Sequence, residues 1–442
     1  MARKTTMNVV IGGEAGQGLA TVGQLLAKSL VRAGYRISVT QDYMSRIRGG
    51  HNTFAIRAGI EDVSAPVEAI DILVAMNNET VTLHKDQVAS DGVVLLDENL
   101  DACQLNCFQV PFKELAPKPI FENVAALGGL CALIGLPVDV PAALVAQTFK
   151  KKGEAVVEQN LEVLRTAHSW VTDADIAFNP LAEHPAPDKN KLMLNGNEAI
   201  ALGALAAGVK FCSFYPMTPS TSVAMTLISH ATAMGVVVEQ AEDEIAAINM
   251  GLGASYAGAR TLVPTSGGGF ALMVEGVSLS GIMELPVVIV LAQRPGPATG
   301  LPTQTEQADL NLVLHAGHGE FPRAIFAPGD VDQCFQLTHR AFDQAEKSQG
   351  PVFVLTDQYL ADSRFALPPF ELPDTIPGPQ LADPASIERY ARYRLTDDGV
   401  SPRLALGQSE HLVCLDSDEH TEQGHITEDL DTVRPAMVEK RL

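Results

Sequence analysis

The sequence predicts an α/β protein with two parallel-sheet domains followed by a proline-rich, acidic tail. Short apolar strands alternate with helical stretches through most of the chain, and such alternation favours a parallel sheet covered on both faces. Aromatic residues make up only 5% of the chain, whereas Ala, Gly and Val abound, which favours closely packed α/β layers over a β-sandwich. Because single cores stop growing at roughly 250–300 residues, the 442 residues predict at least two domains.

The first domain is predicted over residues 1–183. It opens with a strand at Met7–Ile11 and a glycine-rich loop that leads into a helix. The free N–H groups and the dipole at such a helix start suit a phosphate or a carboxylate, although glycine loops at these turns also serve tight packing alone. The loop reads Gly12-Gly13-x-x-Gly16-x-Gly18, which differs from the dinucleotide spacing G-x-G-x-x-G. Further strands are predicted at Arg36–Thr40, Ile70–Ala75 and Gly92–Leu96.

Two arginines follow the second strand among glycines. Arg46 and Arg48 stand in Ser-Arg-Ile-Arg-Gly-Gly, in a chain whose formal net charge is −22. Guanidinium groups in a glycine-rich run of an acidic protein indicate contacts with an anion rather than a solvated face. Together with Gly16, Gln17 and Gly18 they form the first predicted binding region.

A proline-containing, charged linker at residues 178–190 separates the first domain from a second, predicted over residues 191–367. From residue 368 onward, prolines break regular structure and acidic side chains outnumber basic ones. This tail, residues 368–442, has little core of its own and is predicted to wrap another surface or to stay mobile. The strands of the second domain are predicted at Phe211–Tyr215, Val236–Glu239, Thr261–Pro264, Val287–Ala292 and Val352–Thr356.

Glu244 is the first candidate for chemistry in the second domain. It opens an apolar, Ala- and Gly-rich helix, and Ile245–Ile248 are expected to surround it with apolar bulk. A carboxylate at a helix start is otherwise a cap or a surface group, a role that Glu242 and Asp243 fit. Upstream, a strand ends in Tyr-Pro-Met-Thr-Pro-Ser. The hydroxyls of this turn, including that of Thr218, stand where a helix is expected to begin, and the turn can cap the helix from Ser220.

Two further turns follow predicted strands at their carboxyl ends, where α/β sheets bind ligands. Arg294 opens Arg-Pro-Gly-Pro-Ala-Thr-Gly-Leu-Pro-Thr, a stretch that includes Thr299 and Thr303. Its planar cation can clamp a carboxylate bidentately, or it can pair with an acid of the protein such as Glu306. The other turn is Thr-Ser-Gly-Gly-Gly at residues 265–269. Its backbone N–H groups are expected to be free to donate hydrogen bonds to a ligand.

These motifs resemble the alpha subunit of 2-oxoacid:ferredoxin oxidoreductases, with the gamma portion of the same enzymes fused ahead of it. The glycine loop and Ser-Arg-Ile-Arg-Gly-Gly carry the gamma resemblance, and the three turns of the second domain carry the alpha resemblance. Arg-Pro-Gly-Pro-Ala-Thr-Gly is similar to the stretch in members that use 2-oxoglutarate. The resemblance implies a gamma-type domain, then a thiamine-enzyme pyrimidine-binding domain. It also implies oxidative decarboxylation of a 2-oxoacid to acyl-coenzyme A and carbon dioxide, with reduction of ferredoxin.

The resemblance also implies a role for each matched residue. Glu244 would activate thiamine diphosphate through the N1′ atom of its ring, and Thr218 would hold the substrate's 1-carboxylate. Arg294 and Thr303, with Thr299 beside them, would bind the far carboxylate of 2-oxoglutarate. Because Ala298 replaces a serine of the family pattern, pyruvate or a branched-chain 2-oxoacid stays an alternative substrate. Ser266, Gly267 and Gly268 would lie near the cofactor, and Gly16, Gln17, Gly18, Arg46 and Arg48 would bind coenzyme A.

Parts of a complete enzyme are missing from the sequence. It contains no Gly-Asp-Gly and no C-x-x-C pair, so Mg²⁺ and 4Fe–4S clusters are expected on a beta subunit that shares the thiamine diphosphate. We expect a heterodimer or a dimer of heterodimers. The net charge of −22 would repel an acidic ferredoxin, which is therefore expected to bind the partner, and it disfavours nucleic acid and membrane surfaces. Because the family's alpha subunit usually continues into another α/β domain beyond this point, we expect the family's C-terminal domain to be absent from this sequence.

The remaining features predict a reduced, cytoplasmic protein. Six scattered cysteines lack metal-ligand spacing, and we find neither a signal peptide nor an apolar run of membrane-spanning length. His420 and His425 are predicted to belong to a solvated tail rather than to a metal site, and no metal ligand is assigned. Two other classes remain: a non-catalytic scaffold subunit, and a flavodoxin-like nucleotide-binding protein that would rest on the glycine loop alone.

Overall fold

The computed structural model describes residues 3–45, 49–101, 105–174, 176, 178–183 and 190–442. The chain forms two compact units, Met1–Leu194 with Ser363–Pro369, and Asn195–Asp362 with Phe370–Leu442. Each unit has helices packed on a sheet, so the predicted α/β class is confirmed. Within the described residues, no helix combines the length and the apolarity that crossing a bilayer requires.

The first unit contains an eight-stranded sheet of order β6-β5-β4-β1-β3-β2-β14-β7. Its strands are β1 (Thr6–Glu14), β2 (Arg36–Asp42), β3 (His51–Gly59), β4 (Ile70–Ala75), β5 (Val88–Asp97), β6 (Cys107–Val110), β7 (Leu192–Asn195) and β14 (Arg364–Leu367). Its helices are α1 (Leu19–Arg32), α2 (Asn78–His84), α3 (Phe112–Leu115), α4 (Glu122–Ile134), α5 (Asp139–Phe149) and α6 (Glu154–Asp173).

The central strands of this sheet are buried on both faces, as near-continuous apolar runs predict. Val9 and Ile11 of β1 belong to the main core with the helices, whereas Val10 belongs to a smaller cluster with Val81 of α2. The β1–β4 and β4–β5 pairs are parallel, but β3 runs antiparallel to both β1 and β2. The alternation of strands and helices did not predict these antiparallel pairs, because no helix lies between β2 and β3 in the residues that the structure describes.

The glycine loop of the first unit is shorter than predicted. Gly12 and Gly13 lie inside β1, where they pair with β3, so the turn is confined to residues 15–18. Gly16 and Gly18 have φ angles of 98° and 82°, which residues with a side chain rarely adopt.

The second unit contains a six-stranded sheet of order β12-β13-β11-β10-β8-β9, and all its pairs are parallel. The carboxyl ends of its strands therefore meet at one edge. Its strands are β8 (Phe211–Phe214), β9 (Val237–Gln240), β10 (Thr261–Thr265), β11 (Val287–Gln293), β12 (Ala324–Phe326) and β13 (Pro351–Asp357). Its helices are α7 (Gly196–Ala206), α8 (Thr221–Met234), α9 (Glu244–Tyr256), α10 (Gly267–Met283), α11 (Leu310–His315), α12 (Val331–Ser348), α13 (Gln358–Asp362) and α14 (Val433–Arg441).

Aromatic and branched side chains hold the helices of this unit on its sheet. Phe270 of α10 meets Phe353 of β13 edge-on, with ring centroids 5.4 Å apart, which is a favoured aromatic geometry. Ile248 of α9 and Val263 of β10 belong to the same buried cluster. The first turns of α9 and α10 are fixed to the sheet in this way.

The tail has little regular structure, but it packs as part of the second unit. Tyr393 and Leu404 are buried, and α14 places Lys440 2.6 Å from the Glu284 carboxylate at the carboxyl end of α10. His420 is also fully buried, and its ring packs against that of Tyr393 at a tilt of 32°, with centroids 3.7 Å apart. The prediction of a solvated His420 is therefore wrong, because the tail contributes its own aromatic cluster to the core.

Candidate active site

The hydroxyl turn after β8 is fixed by buried hydrogen bonds. Asn197 of α7 donates from Nδ2 to the carbonyl of Pro219 at 2.7 Å, and the Thr218–Pro219 peptide is cis. Ser220 precedes α8, but its hydroxyl donates to the Met217 carbonyl at 2.8 Å instead of capping the helix. The half-buried Thr218 is thus held at the carboxyl end of β8.

Glu244 is the first residue of α9 and only 4% of its surface is exposed. The preceding Asp243 caps the helix by accepting a hydrogen bond from the Ala246 amide at 2.7 Å, while Glu242 is exposed. The expected apolar surround is only partly present, because 52% of Ile245 is exposed. Glu244 accepts no hydrogen bond from any residue that the structure describes, so its buried carboxylate is available to a ligand.

The glycine turn after β10 lies directly against this carboxylate. A Cβ atom built on Gly269 would lie 2.7 Å from Glu244 Oε1, so glycine is required for the acid to reach this position. The Gly269 amide faces the sulfur of Met217 at 3.2 Å. Ser266, which precedes α10, has a buried hydroxyl without a partner among the described residues. Three predicted groups, the hydroxyl turn, the acid and the glycine turn, are therefore neighbours.

Arg294 follows β11 and reaches across to the hydroxyl turn. Its Nη1 donates to the Thr218 carbonyl at 2.7 Å, and only 7% of the residue is exposed. Burial lowers the pKa of the guanidinium, and the negative charges of Asp309 and Glu244 oppose this shift. Within the described part of the chain Arg294 forms no ion pair with Glu306, the alternative partner that the sequence left open.

The loop that follows Arg294 packs near the start of α10. A Cβ atom on Gly268 would lie 3.2 Å from the Ala298 carbonyl. Gly300 has a φ angle of 55°, and a Cβ there would lie 1.7 Å from the Pro295 carbonyl oxygen. Thr299 is exposed and Thr303 half-buried. In the described residues neither threonine hydrogen-bonds to Glu244 or Arg294.

Asp309 is a candidate site residue that the sequence analysis missed. Its backbone N–H donates to the side chain of Gln293 at 2.9 Å, and its carboxylate lies against Gly267. Burial, reinforced by Glu306, raises the pKa of this carboxyl above its usual range, and Arg294 opposes the shift. An acid at the start of a short helix gives no sequence signal of its own, and only the fold brings its charge close enough to act on Arg294.

The glycine loop of the first unit borders a cavity of about 360 Å³. Gly16 and Gly18 line it, and Gln17 turns its side chain back to accept a hydrogen bond from the Glu14 amide at 2.7 Å. Gly18 immediately precedes α1 and supplies no side-chain cap, so the first N–H groups of this helix remain available to an anion. The predicted Arg46 and Arg48 lie outside the described residues.

The cysteines and possible metal ligands add no second site to the described part of the chain. Its five cysteines are free, and Cys131, Cys212 and Cys334 are buried. Cys103 lies outside the described residues. No group of three or more His, Cys, Asp or Glu side chains that could hold a metal occurs in the described ranges.

Comparison with known proteins matches both units to families. Residues 202–440 match the family described as "Pyruvate flavodoxin/ferredoxin oxidoreductase, thiamine diP-bdg", and residues 8–170 match "Pyruvate ferredoxin/flavodoxin oxidoreductase". The 2-oxoacid:ferredoxin oxidoreductase subunit alpha of a Sulfolobus species is 31% identical, over 98% of this chain and 77% of the relative. The 2-oxoglutarate oxidoreductase subunit KorA of Mycobacterium tuberculosis is 28% identical, over 89% and 67%.

A solved structure is similar over nearly the whole chain. It is the 2-oxoglutarate:ferredoxin oxidoreductase from Magnetococcus marinus with 2-oxoglutarate, coenzyme A and succinyl-coenzyme A bound. The match has a TM-score of 0.90 and 32% sequence identity, and it covers 99% of this chain and 78% of the other.

Proposed function

The chain belongs to the alpha subunits of the 2-oxoacid:ferredoxin oxidoreductases, and from this we propose that it decarboxylates 2-oxoglutarate and transfers the acyl group to coenzyme A. The predicted family is confirmed, including the gamma portion ahead of the alpha portion. The chain is thus an oxidoreductase subunit, and its second unit carries the family's thiamine diphosphate-binding domain. The observation that carries the finer proposal is the assembly of Glu244, Thr218 and Arg294 at one edge of the second sheet.

Glu244 is proposed to hold the aminopyrimidine ring of thiamine diphosphate. When bound, the cofactor supplies the nucleophilic carbon and the electron sink for decarboxylation. A buried carboxylate that lacks a hydrogen-bond donor within the described protein fits a ring nitrogen that carries a proton, because that N–H would supply the missing hydrogen bond. Glu244 would accept this hydrogen bond at N1′ and so favour the tautomer whose imino nitrogen takes up a proton.

Thr218 and Arg294 are proposed to bind the oxoacid together. The Arg294 guanidinium already rests on the Thr218 carbonyl, so a carboxylate beside one of them is within reach of the other. This contact favours binding of the 1-carboxylate by Thr218 and Arg294 together. The sequence resemblance had instead implied that Arg294 binds the far carboxylate. A fixed guanidinium next to a hydroxyl turn suits a planar carboxylate, which accepts two parallel hydrogen bonds.

The far carboxylate of 2-oxoglutarate is proposed to meet the loop that carries Thr299 and Thr303. This loop lies beyond Arg294 along the chain and next to the start of α10, so it is close to the cofactor-binding turn at Ser266, Gly267 and Gly268. The two similar proteins named for 2-oxoglutarate support this substrate. Pyruvate and branched-chain 2-oxoacids are the alternatives.

Coenzyme A is proposed to place its phosphates at the start of α1. Gly16 and Gly18 offer backbone N–H groups there, beside a cavity of about 360 Å³, and Gln17, whose N–H donates to the Glu14 carbonyl at 3.2 Å, lies between them. Arg46 and Arg48 are proposed to neutralise the phosphates.

A beta subunit is proposed to complete the enzyme. The sequence contains neither a Gly-Asp-Gly motif nor a C-x-x-C pair, so Mg²⁺, the cofactor's diphosphate and the 4Fe–4S clusters would be held by the partner. Ferredoxin would also bind there, because the net charge of −22 on this chain repels an acidic electron acceptor.

The test is viologen or ferredoxin reduction by the chain co-expressed with its beta partner. Turnover with coenzyme A should be fastest with 2-oxoglutarate and should depend on added thiamine diphosphate. Faster turnover with pyruvate or a branched-chain 2-oxoacid would contradict the substrate assignment. Equal activity of the beta partner alone would instead make this chain a scaffold.

A further inference from the structure

Asp309 is held in the substrate region by contacts of its backbone. It precedes α11, and its N–H donates to Oε1 of Gln293 at 2.9 Å. Gln293 is buried and is the last residue of β11, immediately before Arg294. The end of β11 therefore holds the backbone of Asp309 next to Gln293, from which it is 16 positions away in the sequence.

The Asp309 carboxylate lies in a close fit against the start of α10. A Cβ atom built on Gly267 would lie 2.4 Å from its Oδ2 and 2.6 Å from its Oδ1, so only glycine leaves room for it. Oδ2 is buried and has no hydrogen-bond partner among the described residues. A buried oxygen without a donor destabilises the charged form of a carboxyl group.

The charges around Asp309 have opposite effects. Arg294, at the end of β11, favours the ionised carboxylate, whereas Glu306, on the preceding loop, disfavours it. Glu244, at the start of α9, is a second negative group that acts on Arg294. A substrate carboxylate at Arg294 would therefore add a third negative charge to the two that already act on this cation, and like-charge repulsion opposes this addition.

We propose that Asp309 takes up one proton from solvent when a 2-oxoacid binds, so that the substrate's 1-carboxylate, and not the Asp309 carboxylate, is the negative group nearest the Arg294 guanidinium. This inference rests on the proposed function, because it places the 1-carboxylate at Arg294. The proton forms an O–H bond at Asp309. When the 1-carboxylate leaves as carbon dioxide, Arg294 loses its counterion, and Asp309 returns the proton to solvent. Asp309 acts through Arg294 and is a positioning residue.

The pH dependence of KM tests this exchange in the complex with the beta partner. With 2-oxoglutarate, KM should rise with pH and approach a tenfold increase per pH unit where Asp309 is ionised in the free enzyme. Asp309→Asn should flatten this dependence and lower KM at high pH. Glu306→Gln is the matched control: it leaves Asp309 in place but removes a charge that raises its pKa, so the rise should begin at lower pH.

Calorimetry provides a readout that needs no turnover. The complex is prepared without thiamine diphosphate and titrated with 2-oxoglutarate in buffers of different ionisation enthalpy. Uptake of about one proton by the wild type, and of none by Asp309→Asn, is the expected result. Binding without proton uptake, or an Asp309→Asn variant whose KM is raised equally at every pH, would overturn the inference. Absence of any 2-oxoacid binding would overturn the proposed function as well.

Discussion

Glu244→Gln is the sharpest test of the proposed chemistry. The change keeps the size of the side chain but replaces the proton-accepting carboxylate with an amide. Glu244 is 4% exposed and takes no hydrogen bond from the described residues, so the variant breaks no contact within the described fold. We therefore expect the free energy of unfolding to change by less than about 1 kcal/mol, since an uncharged amide is no harder to bury than a carboxylate.

The expected catalytic loss follows from what the carboxylate would do. A hydrogen bond to a charged group contributes about 1.5–3 kcal/mol, which is roughly a tenfold to 150-fold effect on rate. Loss of a group that controls proton transfer typically costs 10²- to 10⁴-fold. We expect kcat to fall by about 10²- to 10⁴-fold, with a small change in the KM for the 2-oxoacid, because Thr218 and Arg294 remain in place.

The assay is viologen reduction by the co-expressed complex, at saturating thiamine diphosphate and with thermal unfolding measured on the same preparation. Glu242→Gln, two residues earlier and exposed, is the matched control and should keep full activity. Full activity in Glu244→Gln would refute the role of this acid. Equal losses in both variants would point to a general effect of charge on this helix.

Three further substitutions examine the contacts around the acid. Arg294→Lys should raise the KM for the 2-oxoacid about 10- to 100-fold, because an ammonium group cannot both hydrogen-bond to the Thr218 carbonyl and bind a carboxylate bidentately. An unchanged KM would contradict joint binding of the carboxylate by Thr218 and Arg294. Gly269→Ala should lower kcat, because the new Cβ would lie 2.7 Å from Glu244 Oε1. Steady-state kinetics measure this loss, and thermal unfolding of the same variant shows whether the protein is still folded. Asn197→Ala should destabilise the protein by about 1–3 kcal/mol, since it leaves a buried carbonyl without its donor, and chemical denaturation of the isolated chain would reveal a stable variant if this is wrong.

The parts of the site that lie within single turns were predictable. Thr218 and Arg294 each follow an apolar strand at a Pro- or Gly-containing turn, and those signals are local. The hydrogen bond between them was not predictable, because the residues are 76 positions apart and meet only when β8 and β11 join one sheet. The same holds for Asp309, whose place beside Arg294 depends on the path of the intervening loop.

The first unit shows where local pattern misleads. Gly12 and Gly13 suggested a turn, but the antiparallel β3 keeps them in the strand by pairing with them. An isolated pair of glycines carries no information about a partner strand that lies about 40 residues away. The prediction that His420 is solvated was wrong for a related reason. It was based on the acidic neighbours of His420 in the sequence, which do not indicate that the aromatic ring of Tyr393 covers this side chain.

The path of β14 decides how this chain can be divided. β14 comes after the whole sheet of the second unit in sequence, yet it lies between β2 and β7 in the first sheet. A fragment that stops at residue 194 would therefore lack an internal strand, and β2 would be left with an open edge of the kind that invites aggregation. If the gene were divided between its gamma and alpha portions, the gamma product would need another strand in place of β14. A fragment in which residues 363–369 are joined to residues 1–194 would restore the sheet.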